Sequence, residues 1–210
     1  MLYRSIFFVC MLFVFAGYSS ADQLKPSTTL EIRGGLFEPA TEGWKEHYGD
    51  SQFPELGISF AYRFFWVFDV GFSVSHGKVK GPAQTESSNE QTGEALHQTL
   101  PIDVFIMLRG RFSENQWIVP YIGGGYTRFA YRQEVADQSA VEGSTDGSHV
   151  RMGVQFLLDA LDKRGADFMY RHWGVINSYL IMDYKQTSAK IDGLDIGGES
   201  YSLGLLFEYN

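Results

Sequence analysis

The sequence predicts an all-β fold: a single antiparallel, up-and-down transmembrane β-barrel of about eight strands with one short helix. Segments in which large apolar residues recur at every second position follow one another along the chain, as expected for strands with one apolar face. Aromatic residues make up 16% of the 210 residues, yet the mean hydropathy of -0.15 is too polar for a helical membrane protein. A barrel accounts for both values, because only alternate residues of each strand face lipid.

The first residues have the pattern of a secretory signal peptide. An apolar run at residues 6–16 follows a single positive charge and precedes small residues that end at Ala21. The run is shorter than the about 20 residues that a spanning helix needs, so cleavage after Ala21 is favoured over a membrane anchor. We expect residues 1–21 to be the signal peptide and residues 22–210 to form one barrel domain. Because Cys10 is the only cysteine, the mature chain is expected to contain no disulfide or thiol nucleophile.

Eight segments after the leader alternate like strands. An even number near eight, with strands of about 10 residues, is typical of the smallest membrane-spanning barrels. The predicted strands are residues 28–37, 55–64, 66–78, 96–112, 117–133, 149–158, 177–190 and 198–210.

Within each predicted strand, the alternate positions that carry large apolar residues are expected to face lipid, and the positions between them to face the lumen. Each of these two sets of alternate positions is called a parity. The fifth strand is ambiguous, because Gly123–Gly125 blur its pattern and suggest a bend or a close backbone approach. We assign its lipid face to the parity that contains Val119, Tyr121 and Phe129.

The connections alternate in length. Long polar connections follow the first, third, fifth and seventh strands, and tight ones follow the second and fourth. Short turns of outer-membrane barrels face the periplasm, so we expect both termini to be periplasmic. The long polar connections are residues 38–54, 79–95, 134–148 and 191–197.

The connection at residues 159–175 departs from this rule, since it is long but lies on the periplasmic side. Phe168, Met169 and Trp173 have helical spacing, which predicts a short amphipathic helix within residues 165–173. We expect a plug-like or interface-lying cap without chemistry.

Charged residues of both signs occur on the lumen-facing parity of nearly every predicted strand. An eight-stranded lumen is just wide enough for side chains to fill, and an isolated buried ion costs several kcal/mol, so these residues are expected to pair. An ion-pair network that plugs the barrel is the preferred interpretation; a narrow polar path and a pair of catalytic carboxylates are the alternatives. The predicted network contains Glu31, Arg33, Glu55, Arg63, Asp69, Asp103, Arg109, Arg128, Arg151, Asp183 and Glu208.

Four segments resemble the small outer-membrane β-barrel superfamily, which includes the OmpW-like and OmpA-transmembrane-like proteins: Leu30–Pro39, Pro120–Tyr126, Asn177–Lys185 and Leu203–Tyr209. The resemblance covers essentially the whole mature chain. It implies residence in the cell outer membrane, contact with outer-membrane lipid and lipopolysaccharide, and folding by the barrel-assembly machinery. That machinery would read an assembly signal in the last strand, although Asn210 follows the aromatic residue that family members usually place last. The signal comprises Tyr201, Leu203, Leu205, Phe207 and Tyr209.

The histidines do not form a catalytic or metal-binding pattern. Outer-membrane lipid A deacylases are similar in size, but their His-x-Ser-Asn motif is absent. The adjacent pairs Ser75–His76 and Ser148–His149 point their two side chains to opposite faces of a strand, so neither pair can act as nucleophile and base. We interpret His76 and His149 as residues of the extracellular rim and expect no enzymatic activity, cofactor or metal. The remaining histidines after the leader are His47, His97 and His172.

The preferred hypothesis is an outer-membrane protein with a structural or interaction role, a plugged polar lumen and extracellular loops. A net charge of -8 argues against nucleic-acid binding. Alternatives are an OmpW-like conduit for small hydrophobic molecules, a lipid A-modifying enzyme, and a soluble β-sandwich or lipocalin-like carrier. Acidic loop residues favour solvated display, or contact with divalent cations and lipopolysaccharide, over adhesion through apolar patches; they are Glu86, Glu90, Glu94, Glu134, Asp137, Glu142 and Asp146. The conduit would use Phe105, Ile122, Tyr126 and Leu206 as inward apolar surface.

Overall fold

The computed structural model describes residues 27–41, 44, 52–64, 67–84, 91–113, 116–135, 140–191 and 194–210. The predicted signal peptide therefore lies outside the described residues, as do His47 and the loop acids Glu86, Glu90 and Asp137.

The bounds of eight long strands, one two-residue strand and one helix are given by the described residues. They are β1 (Thr28–Pro39), β2 (Phe53–Phe64), β3 (Phe68–Gln84), β4 (Gln91–Arg109), β5 (Ile118–Val135), β6 (Val141–Leu157), α1 (Lys163–Trp173), β7 (Val175–Ile191), β8 (Leu194–Asp195) and β9 (Gly198–Tyr209). β8 pairs only with the end of β7 in the described part of the chain. No helix among the described residues is long and apolar enough to cross a membrane.

The eight long strands close into an up-and-down barrel. Each pairs antiparallel with its neighbour in sequence, and β9 closes the ring by pairing with β1. A walk through the paired residues from Thr28 once around the barrel returns to β1 at Glu38, ten residues further along. This stagger tilts the strands by about 40° from the barrel axis. Closure leaves no unpaired edge within the ring, whereas the described loop-end extensions of β3 beyond Gly77 and of β6 before Gly147 pair on one side only.

The barrel has two distinct ends. At the terminal end, the backbone N–H of Ser27 donates to Tyr209 (2.8 Å), and the β2–β3, β4–β5 and β6–β7 connections lie at the same end. The loop end carries the β1–β2, β3–β4, β5–β6 and β7–β9 connections. This arrangement confirms the predicted up-and-down topology.

Several strands extend further at the loop end than the sequence predicts. Residues 79–95 and 134–148 were expected to be loops. Instead, β3 and β4 pair as far as Gln84 with Gln91, and β5 and β6 pair as far as Gln133 with Val141. Backbone pairing continues beyond the apolar band, where side-chain alternation no longer marks a strand. Glu134, Glu142 and Asp146 consequently lie on strands rather than in loops.

Outward-facing side chains form an apolar band around the barrel. Leu56 is 70% exposed and Ile106 is 60% exposed, values that burial in a water-soluble core would not permit. On β4 the outward run from Leu100 to Leu108 covers about 20 Å of height, close to the about 25 Å apolar band of membrane barrels. Further members are Ile32, Leu36, Ile58, Phe64, Phe68, Val104, Ile122, Val150, Met152, Met182, Leu203 and Leu205.

The faces of β5 are the reverse of the predicted ones. Val119, Tyr121 and Phe129 are buried inside the barrel, whereas Ile122 and Tyr126 are about half exposed on the outside. Both parities of this strand carry bulky residues, so alternation alone cannot assign its faces. Pairing assigns them, because Ile122 lies opposite Leu108 of β4 and Met152 of β6, which both face outward. The predicted faces of the other long strands agree with the structure.

The 158–174 connection is anchored at the terminal end. The backbone N–H of Ser178 donates to the carboxylate of Asp159 (3.1 Å). Burial raises the pKa of Asp159, and this hydrogen bond acts in the opposite direction. The helix predicted within residues 165–173 is present and begins two residues earlier, at Lys163.

Candidate functional site: the filled lumen

Three groups of charged side chains fill the lumen between the two ends. The lower cluster, nearest the terminal end, contains Arg63, Asp69, Arg109, Arg111 and Glu208. Glu208 accepts from Arg63 (2.7 Å) and Arg109 (2.6 Å) through one carboxylate oxygen and from Arg111 (3.0 Å) through the other. Arg63 also donates to Asp69 (2.7 Å). A single carboxylate thus joins three arginines from two different strands and the segment after β4.

The central cluster consists of Glu31, Arg33, Arg151 and Asp183. Glu31 lies 2.7 Å from Arg33 and 2.5 Å from Arg151, and Arg151 also donates to Asp183. These contacts tie β1 to β6 and β7 across the lumen. Arg33 additionally donates to three serine hydroxyls on β2 and β3: Ser59, Ser73 and Ser75.

The upper cluster is built around Asp103. Its carboxylate lies 2.9 Å from the ammonium of Lys185 and accepts hydrogen bonds from Ser73 and Thr127, both at 2.8 Å. The Nδ1 atom of His149 lies 2.8 Å from the hydroxyl of Thr127. This network joins β3, β4, β5, β6 and β7.

An aromatic cap covers the charged clusters at the loop end. Phe37, Phe53 and Phe129 are almost fully buried, with the Phe37 ring centroid 5.3 Å from that of Phe53 and 6.0 Å from that of Phe129. Trp44 and Tyr131 pack against this group. The lumen therefore changes from charged to apolar towards the loop end.

Glycines make room for two of these large lumen residues. A Cβ atom at Gly57 would lie 3.0 Å from Nε of Arg33, and one at Gly77 would overlap the ring of Phe53. Both positions have the inward parity of their strands. The wall thus lacks a side chain beside an arginine of the central cluster and beside a ring of the cap.

Most of the predicted network residues lie in these clusters, but two do not. Arg128 is exposed on the outer wall, 3.7 Å from Asp146, because the faces of β5 are the reverse of the predicted ones. Glu55 is buried, yet within the described residues its Oε2 atom accepts no hydrogen bond. The predicted residues that do lie in the clusters are Glu31, Arg33, Arg63, Asp69, Asp103, Arg109, Arg151, Asp183 and Glu208.

Sequence reasoning missed five members of the clusters, one of which is Ser73, a donor to Asp103. Arg111 and Lys185 have the inward parity of their segments, which could have indicated them. Thr127 was assigned to the lipid face with the rest of its strand. His149 was interpreted as a rim residue, but it is buried in the upper cluster, 4% exposed, because β6 extends eight residues beyond its predicted start.

The Thr127–His149–Asp103 arrangement resembles a nucleophile, base and acid in composition but not in geometry. The Thr127 hydroxyl lies between the other two groups, since it is 2.8 Å from both His149 Nδ1 and Asp103 Oδ1. Thr127 is also completely inaccessible, so a substrate cannot reach it. In the described part of the chain, no group of three or more His, Cys, Asp or Glu side chains is placed to hold a metal ion.

A groove of about 510 Å³ lies on the barrel wall near the loop end, where β3 to β6 extend beyond the apolar band. Its lining includes His76, Leu100, Ala130, Tyr131 and Arg132. The lining of this groove contains none of the four apolar residues predicted for the conduit: Ile122 and Tyr126 face outward, whereas Phe105 and Leu206 are buried inside the barrel.

The fold has counterparts among solved structures. OprG of Pseudomonas aeruginosa superposes with a TM-score of 0.59 at 14% identity, covering 90% of this chain and all of OprG. The attachment invasion locus protein Ail of Yersinia pestis gives 0.56 at 12% identity, covering 89% of this chain and all of Ail. Neisserial surface protein A gives 0.53 at 14% identity over 87% of this chain and 97% of that protein.

This chain has the fold of the small outer-membrane β-barrel proteins. The chain matches no protein-family model and no curated protein sequence. At these identities the structural likeness shows the fold alone. The role of this barrel must therefore be argued from its own residues.

Proposed function

We propose that this protein resides in the bacterial outer membrane as a closed barrel with a structural or interaction role. The observation that supports this proposal is the filled lumen: nine predicted charged residues are engaged in three clusters beneath an aromatic cap. A solute would have to separate buried ion pairs, and leaving one charge unpaired costs about 3–5 kcal/mol. The apolar band supports residence in a bilayer.

The outer wall above the apolar band fits contact with lipopolysaccharide. Outward-facing cations lie there on β3, β5 and β7, at a height where lipid phosphates would be found. Some of them already have carboxylate neighbours, such as Arg132 with Glu142 (3.2 Å), but at this exposure such pairs can exchange partners readily. The cations are Lys78, Lys80, Arg128, Arg132 and Lys190.

The orientation follows from the same reasoning. We place the loop end outside the cell and the terminal end, with both termini, in the periplasm, because short turns face the periplasm in outer-membrane barrels. The side chains of Tyr201, Leu203 and Leu205 are exposed on the outer wall of β9, where assembly machinery could read them.

Single-channel recording in planar bilayers tests the closed lumen. The refolded protein should insert without producing discrete conductance steps, while a conducting porin inserted in the same way should produce them. Heat-dependent gel mobility of the recovered protein would verify that it is folded. Stable conductance steps from the folded protein would contradict the proposal.

The groove supports a second candidate function, the binding of a small hydrophobic molecule on the way into the membrane. It is lined by both apolar and polar groups, including Leu100 and Ala130, and Tyr131 of its lining also packs against the aromatic cap. Binding of the apolar fluorophore N-phenyl-1-naphthylamine should be lost in Ala130→Trp, which fills the groove. It should persist in Ser188→Trp, on the exposed face of β7. Equal binding by both variants would exclude the groove.

A further inference from the structure

α1 is an amphipathic helix whose apolar side is only partly covered by the barrel. No residue of the helix is buried; on the apolar side Ala166 and Met169 are half-buried and Trp173 is 67% exposed. Just before the helix, Leu161 is 74% exposed. Exposing apolar surface of this kind to water costs free energy, so we expect a partner with apolar surface to cover it.

The two sides of α1 differ sharply in chemistry. Ala166, Met169 and Trp173 follow the i, i+3, i+7 spacing of one helix face. The opposite side carries the charged residues Lys163, Arg164, Asp167 and Arg171. Three cations and one carboxylate give this side a net positive charge.

The sequence specifies this helix at both of its ends. The Asp162 carboxylate caps the first turn by accepting from the backbone N–H of Gly165 (3.0 Å). Gly174 ends the helix in the left-handed conformation, with φ of 70°, and its N–H donates to Tyr170 (3.0 Å). A connection that served only to join β6 to β7 would not need these features.

The helix lies at the terminal end of the barrel. Trp173 is two residues from Val175, the first residue of β7, which pairs with Tyr209 at the terminal end. The contacts of α1 with the barrel are concentrated on β7. At the same end, Phe112 and Trp117 are strongly exposed on the outside, as expected for an aromatic girdle.

We propose that α1 lies along the surface of the membrane leaflet at the terminal end and binds its phospholipids. Met169 and Trp173 enter the boundary between headgroups and acyl chains, and Lys163, Arg164 and Arg171 contact the phosphates of anionic lipids. Two observations select a lipid surface over other occupants: Leu161 and Trp173 are exposed at the same end of the barrel as the aromatic residues Phe112 and Trp117, and the charged side complements anionic headgroups. This inference rests on the proposed membrane residence of the barrel.

Spin labelling tests the inference directly. Because Cys10 is the only cysteine, single-cysteine variants of residues 22–210 carry one nitroxide each. The protein is refolded into vesicles of phosphatidylethanolamine and phosphatidylglycerol. Labels at Ala166, Met169 and Trp173 should collide often with oxygen and rarely with a water-soluble nickel chelate. Labels at Lys163 and Asp167 should show the reverse, so accessibility should vary with the helical period.

Two reference labels separate failure of this inference from failure of the proposed function. A label at Leu205, on the lipid-facing wall, should be accessible to oxygen, and a label at Glu142 should be accessible to nickel. If Leu205 behaves as expected but every α1 label is accessible to nickel, the helix is in water and the inference is overturned. Spin–spin broadening among α1 labels would reveal a second copy instead of lipid and would also overturn it.

The charged side has its own test. Replacing phosphatidylglycerol by phosphatidylcholine should raise nickel accessibility at Met169 several-fold in the native background. The variant Lys163→Gln, Arg164→Gln, Arg171→Gln should show the higher accessibility in both lipids. A matched change of outer-wall cations at the other end, Lys78→Gln with Arg128→Gln, should leave the Met169 label unchanged. Lipid-independent accessibility would contradict the role of the cations.

Discussion

The inner and outer walls of the barrel both carry ion pairs between an arginine and a carboxylate, but these pairs contribute differently to stability. Inside, Arg109 and Glu208 are completely inaccessible and lie 2.6 Å apart. Outside, Arg128 and Asp146 are more than half exposed and lie 3.7 Å apart. The inner pair has lost its water and depends on its partners, whereas the outer pair keeps its hydration and adds little to stability. Position across the wall, and not residue type, determines what an ion pair contributes.

The largest loss of stability is expected from a substitution of Glu208. In Glu208→Gln, Arg63, Arg109 and Arg111 would lose the carboxylate that neutralises them, and the amide NH2 group, which cannot accept a hydrogen bond, would face at least one guanidinium donor. We expect a destabilisation of about 3–5 kcal/mol, because one change leaves buried charges uncompensated. Guanidinium unfolding in lipid vesicles, followed by heat-dependent gel mobility, would measure it.

The matched control for this change is Glu142→Gln, which removes the same charge from the outer wall. Glu142 is 64% exposed beside Arg132, so its loss should cost less than about 1 kcal/mol. Similar losses for the two variants would show that the lower cluster is hydrated and would remove the distinction between the walls.

Packing of the cap gives a smaller effect. In Gly77→Val the new side chain would meet the ring of Phe53 and the hydroxyl of Thr99, and overpacking of this kind costs about 1–3 kcal/mol. Gly34 is the matched control, since a Cβ atom there would lie 3.4 Å from Leu56 on the outer wall, an ordinary contact. Gly34→Val should be close to neutral in the same unfolding assay.

A second change sharpens this prediction. Replacing the phenyl ring by the smaller leucine side chain in the double variant Phe53→Leu, Gly77→Val should recover part of the lost stability, because the new valine clashes with that ring. If the double variant were less stable than Gly77→Val by the full cost of the Phe53 substitution, the two residues would not be coupled.

Alternation explains which parts of this arrangement the sequence could predict. On β9 and β4 one parity is almost entirely large and apolar, so both faces could be assigned from the sequence. On β5, Tyr121 and Phe129 face the lumen while Ile122 and Tyr126 face outward, and only pairing with neighbours distinguishes them.

The parity of a residue in its strand predicts that its charge faces the lumen, but it does not predict which residue it pairs with. Arg63 and Glu208 are 145 residues apart in sequence, and Glu31 and Arg151 are 120 residues apart. Which residues meet depends on the ten-residue stagger of the closed barrel, which no local pattern records. The extension of β6 past the apolar band was missed for another reason, because side-chain alternation does not mark it, and so His149 lies in the upper cluster and not at the expected rim.

The smallest predicted effect is at Arg128, the residue that the sequence placed in the lumen and the structure places outside. Arg128→Gln should change stability by less than about 0.5 kcal/mol, because the guanidinium is exposed and its pair with Asp146 is long. Arg109→Gln, the same substitution in the lower cluster, should cost several kcal/mol, since Arg109 bonds Glu208 and Gln155 in the closed interior. Comparing the two unfolding curves measures the difference between the walls with one chemical change. A large loss at Arg128 would mean that β5 faces the way its sequence first suggested, and that its register against β4 and β6 is shifted by one residue.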